Sequence, residues 1–304
     1  MREKTGVRPV GRNNLARENR AMPEFLTLKE AVAAHLEDGM MAAFEGFTHL
    51  MPYAAAHEVI RQAKRDLTVV RMTPDVIYDQ LIGMGCVAKM IFSYAGNPGV
   101  GLLRRLRDSL EHGWPHRIEI VEHSHAALAH AYEAGASRLP FAVLRGYVGT
   151  DFPAINADIR TITCPFTGQK LAAVPAINPD ITFIHALKAD RAGNVLIEGI
   201  VGVQKEAVLA AGKAIITVEE VVDSFESHPN AMVLPHWVVT AIAHVPGGAH
   251  PSYAHGYYAR DNATYKEWDA IAADRDRFLA WMKTHVLDVD ETVFANRVIW
   301  SAGS

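Results

Sequence analysis

The chain has 304 residues, 49% of them hydrophobic and 21% charged, with a formal net charge of −4. This composition suits a globular enzyme with ample length to bury a core, and the mild negative charge excludes a global attraction for nucleic acid or anionic lipid. Any anionic ligand must then be held by local groups.

Cys86 and Cys164 are the only cysteines, too few for a disulfide scaffold and in keeping with a reducing cytoplasm. Neither has a His or a second Cys at metal spacing, so both read as small buried hydrophobes. Residues 1–22 carry Arg2, Lys4, Arg8, Arg12, Arg17 and Arg20 against Glu3 and Glu18 with almost no apolar periodicity, which predicts a mobile basic tail. No apolar h-region follows it, no run is long enough to span a bilayer, and Met22 is a second candidate start.

Residues 23–304 read as one continuous α/β domain. Thr27 and Glu30 form a capping box for a helix over 28–37 that Asp38-Gly39 stops. The apolar run 40–44 predicts a buried parallel strand, followed by the loop Glu45-Gly46-Phe47-Thr48-His49 and a helix from Pro52 to about Lys64. The unit repeats as strand 67–71, helix 76–82, strand 89–93, the glycine-rich loop 95–101 and helix 102–111. Strand 118–121 then leads through Glu122-His123-Ser124-His125 into helix 126–136 and strand 141–144. Such alternation predicts a Rossmann-like, mostly parallel sheet flanked by helices. After a seam near 149–158 the texture changes to a mixed C-terminal part: a hairpin of 181–189 with 195–199, helix 204–211, strands 214–218 and 238–245, and a terminal helix over 265–283.

Between the last strand and that helix, Pro246 to Asn262 holds three Gly, two His, three Tyr, an Arg and an Asp. The prolines and the glycine pair forbid a helix, and a loop of this size in a compact domain is more often functional than idle. In open α/β sheets ligands bind beyond the carboxyl ends of the strands. The loops at Gly46-Phe47-Thr48 and Gly96-Asn97-Gly99, and the helix start at Ser124-His125, are therefore placed to turn backbone amides toward an anion. Gly-Asn-Pro-Gly-Val-Gly over 96–101 is neither a dinucleotide fingerprint nor a P-loop. Histidines 49, 57, 123, 125, 185, 244, 250 and 255 show no third ligand at metal spacing, so no metal site is assigned. Glu219, Glu220, Asp223 and Glu226 read as a solvated helix start.

The loops taken together, with Leu26-Thr27-Leu28-Lys29-Glu30-Ala31-Val32, Val70-Arg71-Met72-Thr73-Pro74-Asp75, Leu139-Pro140-Phe141-Ala142-Val143-Leu144-Arg145 and Cys164-Pro165-Phe166-Thr167-Gly168, resemble the α subunits of family I coenzyme A transferases. The similarity runs from about Leu26 to about Trp281, and glutaconate-type transferases look like a more distant branch. The resemblance implies transfer of CoA from succinyl-CoA to a dicarboxylic acid such as 3-oxoadipate, by one subunit that works beside a homologous β subunit in a heterodimer or heterotetramer. A β-subunit glutamate is the nucleophile in that family; no Ser-Glu-Asn-Gly-type motif occurs in this sequence, so no catalytic residue is assigned to it. The CoA thioester is substrate, and no cofactor or metal is held permanently. The implied pocket is lined by Gly46, Phe47, Thr48, Gly96, Asn97, Gly99, Ser124 and His125, with Arg71 and Arg145 as candidate anchors for a distal carboxylate. Similar proteins of steroid-ring degradation hydrolyse a cyclic CoA thioester with a carboxylate near the position of His125. The imidazole here favours transfer.

Overall fold

The computed structural model describes residues 22–301, so the basic tail predicted over 1–22 lies, Met22 apart, outside the described residues. The main sheet is built from β1 (Glu24–Phe25), β2 (Met41–Glu45), β3 (Leu67–Arg71), β4 (Val87–Phe92) and β5 (Glu119–Glu122) in the first half of the chain. A small sheet follows, with β6 (Phe141–Leu144), β7 (Arg160–Thr163) and β8 (Lys170–Pro175). The main sheet resumes with β9 (Ile181–Asp190), β10 (Val195–Ile197), β11 (Lys213–Val222), β12 (Met232–Leu234) and β13 (Ala241–His244).

The order β1-β13-β11-β9-β2-β3-β4-β5 is parallel throughout, with β10 antiparallel to β9 and β12 antiparallel to β10 off that path. From β2 the chain builds outward to β5, then returns to the other side of β2 and builds outward again. The junction of β2 with β9 is therefore the topological switch point, where a crevice opens at the carboxyl edge. Phe44 and Phe183, register partners across that junction, stack with centroids 4.9 Å apart and planes 12° from parallel. An offset aromatic pair adds about 0.5–1.5 kcal/mol beyond its burial, which fixes the two halves of the sheet together.

Helices cover both faces. Leu28–His35, Tyr53–Arg61, Val76–Gly83, Asn262–Ala273 and Arg275–Met282 contribute to one core, while His125–Ala136 and Gln204–Ala210 pack a second across the sheet. The Thr27–Glu30 capping box forms as the sequence predicts. Helix Arg104–His112 has Leu103 at its cap, which offers no side-chain acceptor; instead Asp79 from the neighbouring helix accepts from the Arg105 and Leu106 amides at 2.8 and 2.9 Å. Asp79 takes the Trp268 indole N–H as well, at 3.0 Å.

Four expectations change. The strand 141–144 leaves the parallel series and pairs antiparallel with β8, which in turn pairs with β7. Its alternation is the signature of a sheet wet on one side: Phe141 and Val143 are exposed, Ala142 and Leu144 buried. The terminal helix is broken at Asp274, whose carboxylate caps the second piece by accepting from Arg277 N at 2.8 Å, and a further helix spans Val293–Ser301. Cys86 is buried as read, but Cys164 is half-buried in the β7–β8 turn, where the Thr167 hydroxyl lowers its thiol pKa. Glu219 is not a solvated helix start. It lies inside β11, 5% exposed. No described helix is long and apolar enough to cross a membrane.

Candidate active site

Three loops meet at the switch point. The loop after β2 turns so sharply that a Cβ on Gly46 would lie 2.8 Å from the Leu50 carbonyl oxygen and 2.9 Å from that of His49. Thr48 and Leu50 take left-handed backbone conformations, φ 57° and 51°, unusual for residues with side chains and a form of strain that clusters at functional sites. This conformation is over-determined by neighbours. Leu50 N donates to Tyr253 O at 3.0 Å, and the Ser252 hydroxyl donates to Thr48 O at 2.8 Å. Gly202, in the loop after β10, which is the third of them, packs on Phe47.

His49 pins all three loops. Its Nε2 accepts the His255 amide at 3.0 Å, so the proton sits on Nδ1, which donates to Ile200 O at 3.0 Å. Burial pushes its pKa down to about 4 against the opposing pull of the Ile200 carbonyl. The unfolded chain therefore binds a proton at His49 between about pH 6.5 and 4 that the folded chain refuses, and stability at this residue falls as the pH drops through that window. Side-chain 15N spectra should show the Nδ1–H tautomer of His49 persisting to about pH 5. An imidazolium at pH 6 would contradict the hydrogen-bond assignment.

Beneath the loop lie charges whose burial the sequence did not show. Glu45, 2% exposed at the end of β2, takes the Tyr132 hydroxyl at 2.9 Å. Burial drives its carboxyl up to about 7, although Arg71 and the hydrogen bonds pull it back. Arg71, 1% exposed, donates to Gly46 O at 2.9 Å and faces Asp75 at 3.5 Å. A second buried cluster sits under the loop 246–262: Glu219 accepts from His185 at 2.6 Å, from the Tyr258 hydroxyl at 2.6 Å and from Gly247 N at 2.7 Å. Burial raises the Glu219 pKa, but these bonds outweigh it and hold the carboxyl below its usual range. The available signals were an acid directly after an apolar strand run at Glu45 and an inward-facing position in a parallel strand at Glu219.

The predicted site residues fall into two groups. Gly46 is buried, while Phe47 and Thr48 are half-exposed at the crevice. Ser124 and His125 lie further along the same edge: Ser124 caps its helix and gives its amide to the Tyr147 hydroxyl at 2.6 Å, and exposed His125 meets Ser93 Oγ at 3.1 Å. The 96–101 loop folds largely on itself. Asn97 O accepts from Val100 N and Gly101 N, Asn97 Nδ2 reaches Tyr265 O at 2.7 Å, and Gly96 N is used by Pro74 O. Gly99 opens its exposed end, at φ +76° in open space. Of the two arginines, Arg71 braces the Gly46 loop from below, whereas Arg145 is exposed beyond β6 in the small sheet.

The open α/β sheet with a strained loop at its switch point places a ligand crevice at the carboxyl edge of the strands. The chain belongs to the coenzyme A transferase family, whose model matches residues 25–244. It is 61% identical over 265 residues to the A subunit of 3-oxoadipate CoA-transferase from Pseudomonas knackmussii, covering 87% of this chain and 94% of that protein. The A subunit of glutaconate CoA-transferase from Acidaminococcus fermentans is 32% identical, covering 91% and 92%. The crystal structure of that transferase superposes with a TM-score of 0.84, covering 91% of this chain and 94% of that one. The cholesterol ring-cleaving hydrolase IpdA subunit of Mycobacterium tuberculosis is 28% identical, covering 87% and 94%.

Proposed function

We propose that this chain is the α subunit of a CoA-transferase moving CoA from succinyl-CoA to a dicarboxylic acid such as 3-oxoadipate, beside a homologous β subunit that carries the nucleophilic glutamate. The observation that carries this reading is 61% identity across nearly the whole of the A subunit of a 3-oxoadipate CoA-transferase. In the proposed reaction the partner carboxylate attacks the thioester carbonyl and expels CoA thiolate, leaving a mixed anhydride. The thiolate then attacks the glutamyl carbonyl of that anhydride, releasing the donor acid and leaving glutamyl-CoA. The acceptor repeats the sequence in reverse. A carboxylate is a weak nucleophile, so rate depends on exclusion of water and on fixed dipoles at the oxyanion.

This chain's part is to wall that pocket with Gly46, Phe47 and Thr48, and further along the edge with Ser124 and His125. The chain alone should show no CoA transfer, and addition of the β subunit should restore it. After incubation with acyl-CoA and no acceptor, intact mass should place the CoA adduct on the partner. Turnover by the lone chain, or an adduct on Glu45, would overturn the division of roles.

Arg145 is the proposed anchor for the distal carboxylate, because it is exposed and lies two residues from Tyr147, which binds Ser124 N. Arg71 already serves Gly46 and Asp75. Arg145→Ala should narrow the preference for succinate over acetate about tenfold, the scale of one charge-assisted bond at a solvated rim. An unchanged ratio would remove Arg145 from the site.

A further inference from the structure

Among the helices on one face of the main sheet, and bordered by the loop 246–262, lies a cavity of about 830 Å³ that the proposed reaction does not use. It is lined by residues of helices Tyr53–Arg61, Val76–Gly83 and Asn262–Ala273, by the stretch from His250 to Asp261, and by Val293, Asn296 and Arg297. Three polar groups in its lining are incompletely used. His57, 1% exposed, bonds Gln80 through Nε2 at 2.9 Å and leaves Nδ1 without a partner. His250, 6% exposed, faces Asp261 through Nε2 at 3.2 Å and also leaves Nδ1 without one. Arg297 donates to His285 O at 2.7 Å and lies over the Phe294 ring, and among the described residues no carboxylate pairs with it.

These groups act on one another. Burial, reinforced by the Arg297 charge, holds His57 well below the imidazole range; burial and Arg297 bring His250 to about 4 against the pull of Asp261. Since Asp261 takes the Nε2–H of neutral His250, its buried Nδ1 is a lone pair without a donor. The charge of Arg297, which no carboxylate of the described residues pairs, acts on the same imidazole. The rest of the lining mixes rings and apolar side chains with polar and charged ones, among them Arg260, Glu267 and Asn296; Trp268 gives its N–H to Asp79 and Tyr53 its hydroxyl to Tyr265, so both offer the cavity mainly ring. An aromatic wall beside convergent polar groups is a composition that small-molecule sites use.

We propose that this cavity is a second ligand site, taking a small carboxylic acid whose carboxylate meets Arg297, whose hydroxyl donates to the Nδ1 of His57 or His250, and whose apolar or aromatic body rests among Trp268, Ile271 and Trp281. The inference stands apart from the transferase reading. A ligand there touches the His250–Asp261 stretch, which holds the loop after β2 through Ser252 and Tyr253.

Mandelate, phenylacetate and benzyl alcohol share a ring and divide the two polar functions between them. Calorimetric titration of the full-length chain, by itself and in complex with the β subunit, should show saturable binding of one mandelate per chain, with both single-function probes about tenfold weaker. Arg297→Gln should weaken the two acids about tenfold and leave benzyl alcohol unchanged. His57→Phe should weaken mandelate and benzyl alcohol but spare phenylacetate, with near-UV circular dichroism checking the fold; His57→Gln, which keeps an acceptor, is the second variant if the first does not fold. Absence of saturable mandelate binding, equal affinity for all three probes, or unchanged mandelate affinity in Arg297→Gln would overturn the proposal, whatever the CoA-transfer activity of the complex.

Discussion

Gly46→Ala should lower kcat/KM for CoA transfer by the assembled enzyme by about 10²-fold, the scale of an ångström-sized misplacement in a positioned site. The new methyl would meet backbone: the carbonyl oxygens of Leu50 and His49 lie within 2.9 Å of its position, and Met51 Sδ is as close. Backbone carbonyls, of which that of His49 also accepts from Phe47 N at 3.2 Å, cannot swing aside as a flexible side chain does. The turn must therefore open, displacing Phe47 together with Thr48 and Leu50, whose backbone is already held in a costly form by Ser252 and Tyr253. Melting temperature should fall by only a few degrees, because the change is local to one loop. Gly99→Ala is the comparison: φ there is +76° but the space is open, so a strain of about 1 kcal/mol and a small activity loss are expected. Full activity in Gly46→Ala would exclude this loop from the pocket wall.

Glu219→Ala should cost about 3–5 kcal/mol of stability, the range for removing one partner from a buried charged network. Three donors lose their acceptor at once: the His185 ring, the Tyr258 hydroxyl and the Gly247 amide. The pH dependence has a definite sign. The Glu219 carboxyl is held below its unfolded value, so its contribution is present above about pH 4.5 and is lost as the pH falls through the lowered folded pKa. The variant should therefore lose less stability than the parent on acidification across that window. Denaturant titrations at pH 7 and pH 4 measure both effects, and a cost below about 1 kcal/mol at pH 7 would mean that the cluster is not coupled to folding.

Glu219 shows where reading the chain residue by residue loses its grip. Four acids within eight positions look like a solvated stretch, and three of them are only partly buried or exposed. The fourth points inward because β11 runs on to Val222, beyond the apolar run that marks its core. Its partners come from β9 and from a loop reached only after β13. Glu45 is similar: its position after an apolar strand is legible, but Tyr132 lies 87 residues away and Arg71 on the adjacent strand. Arg71 illustrates the converse, since a cation at a strand end is compatible with either a substrate or an internal brace, and only packing places it under Gly46.

The sequence by itself determined the elements whose signals are local. The capping box at Thr27, the boundaries of β3, the apolar parallel strands and the hairpin after β9 depend on residues within a few positions of one another. It also carried the family, because many loop segments match in order. The tertiary structure alone decided which strands share a sheet, hence the separation of β6 from the parallel series, and which charges are buried together. Strand partnership depends on hydrogen bonds and burial between segments far apart in sequence, and the pKa of a buried carboxyl depends on neighbours that only those partnerships bring near.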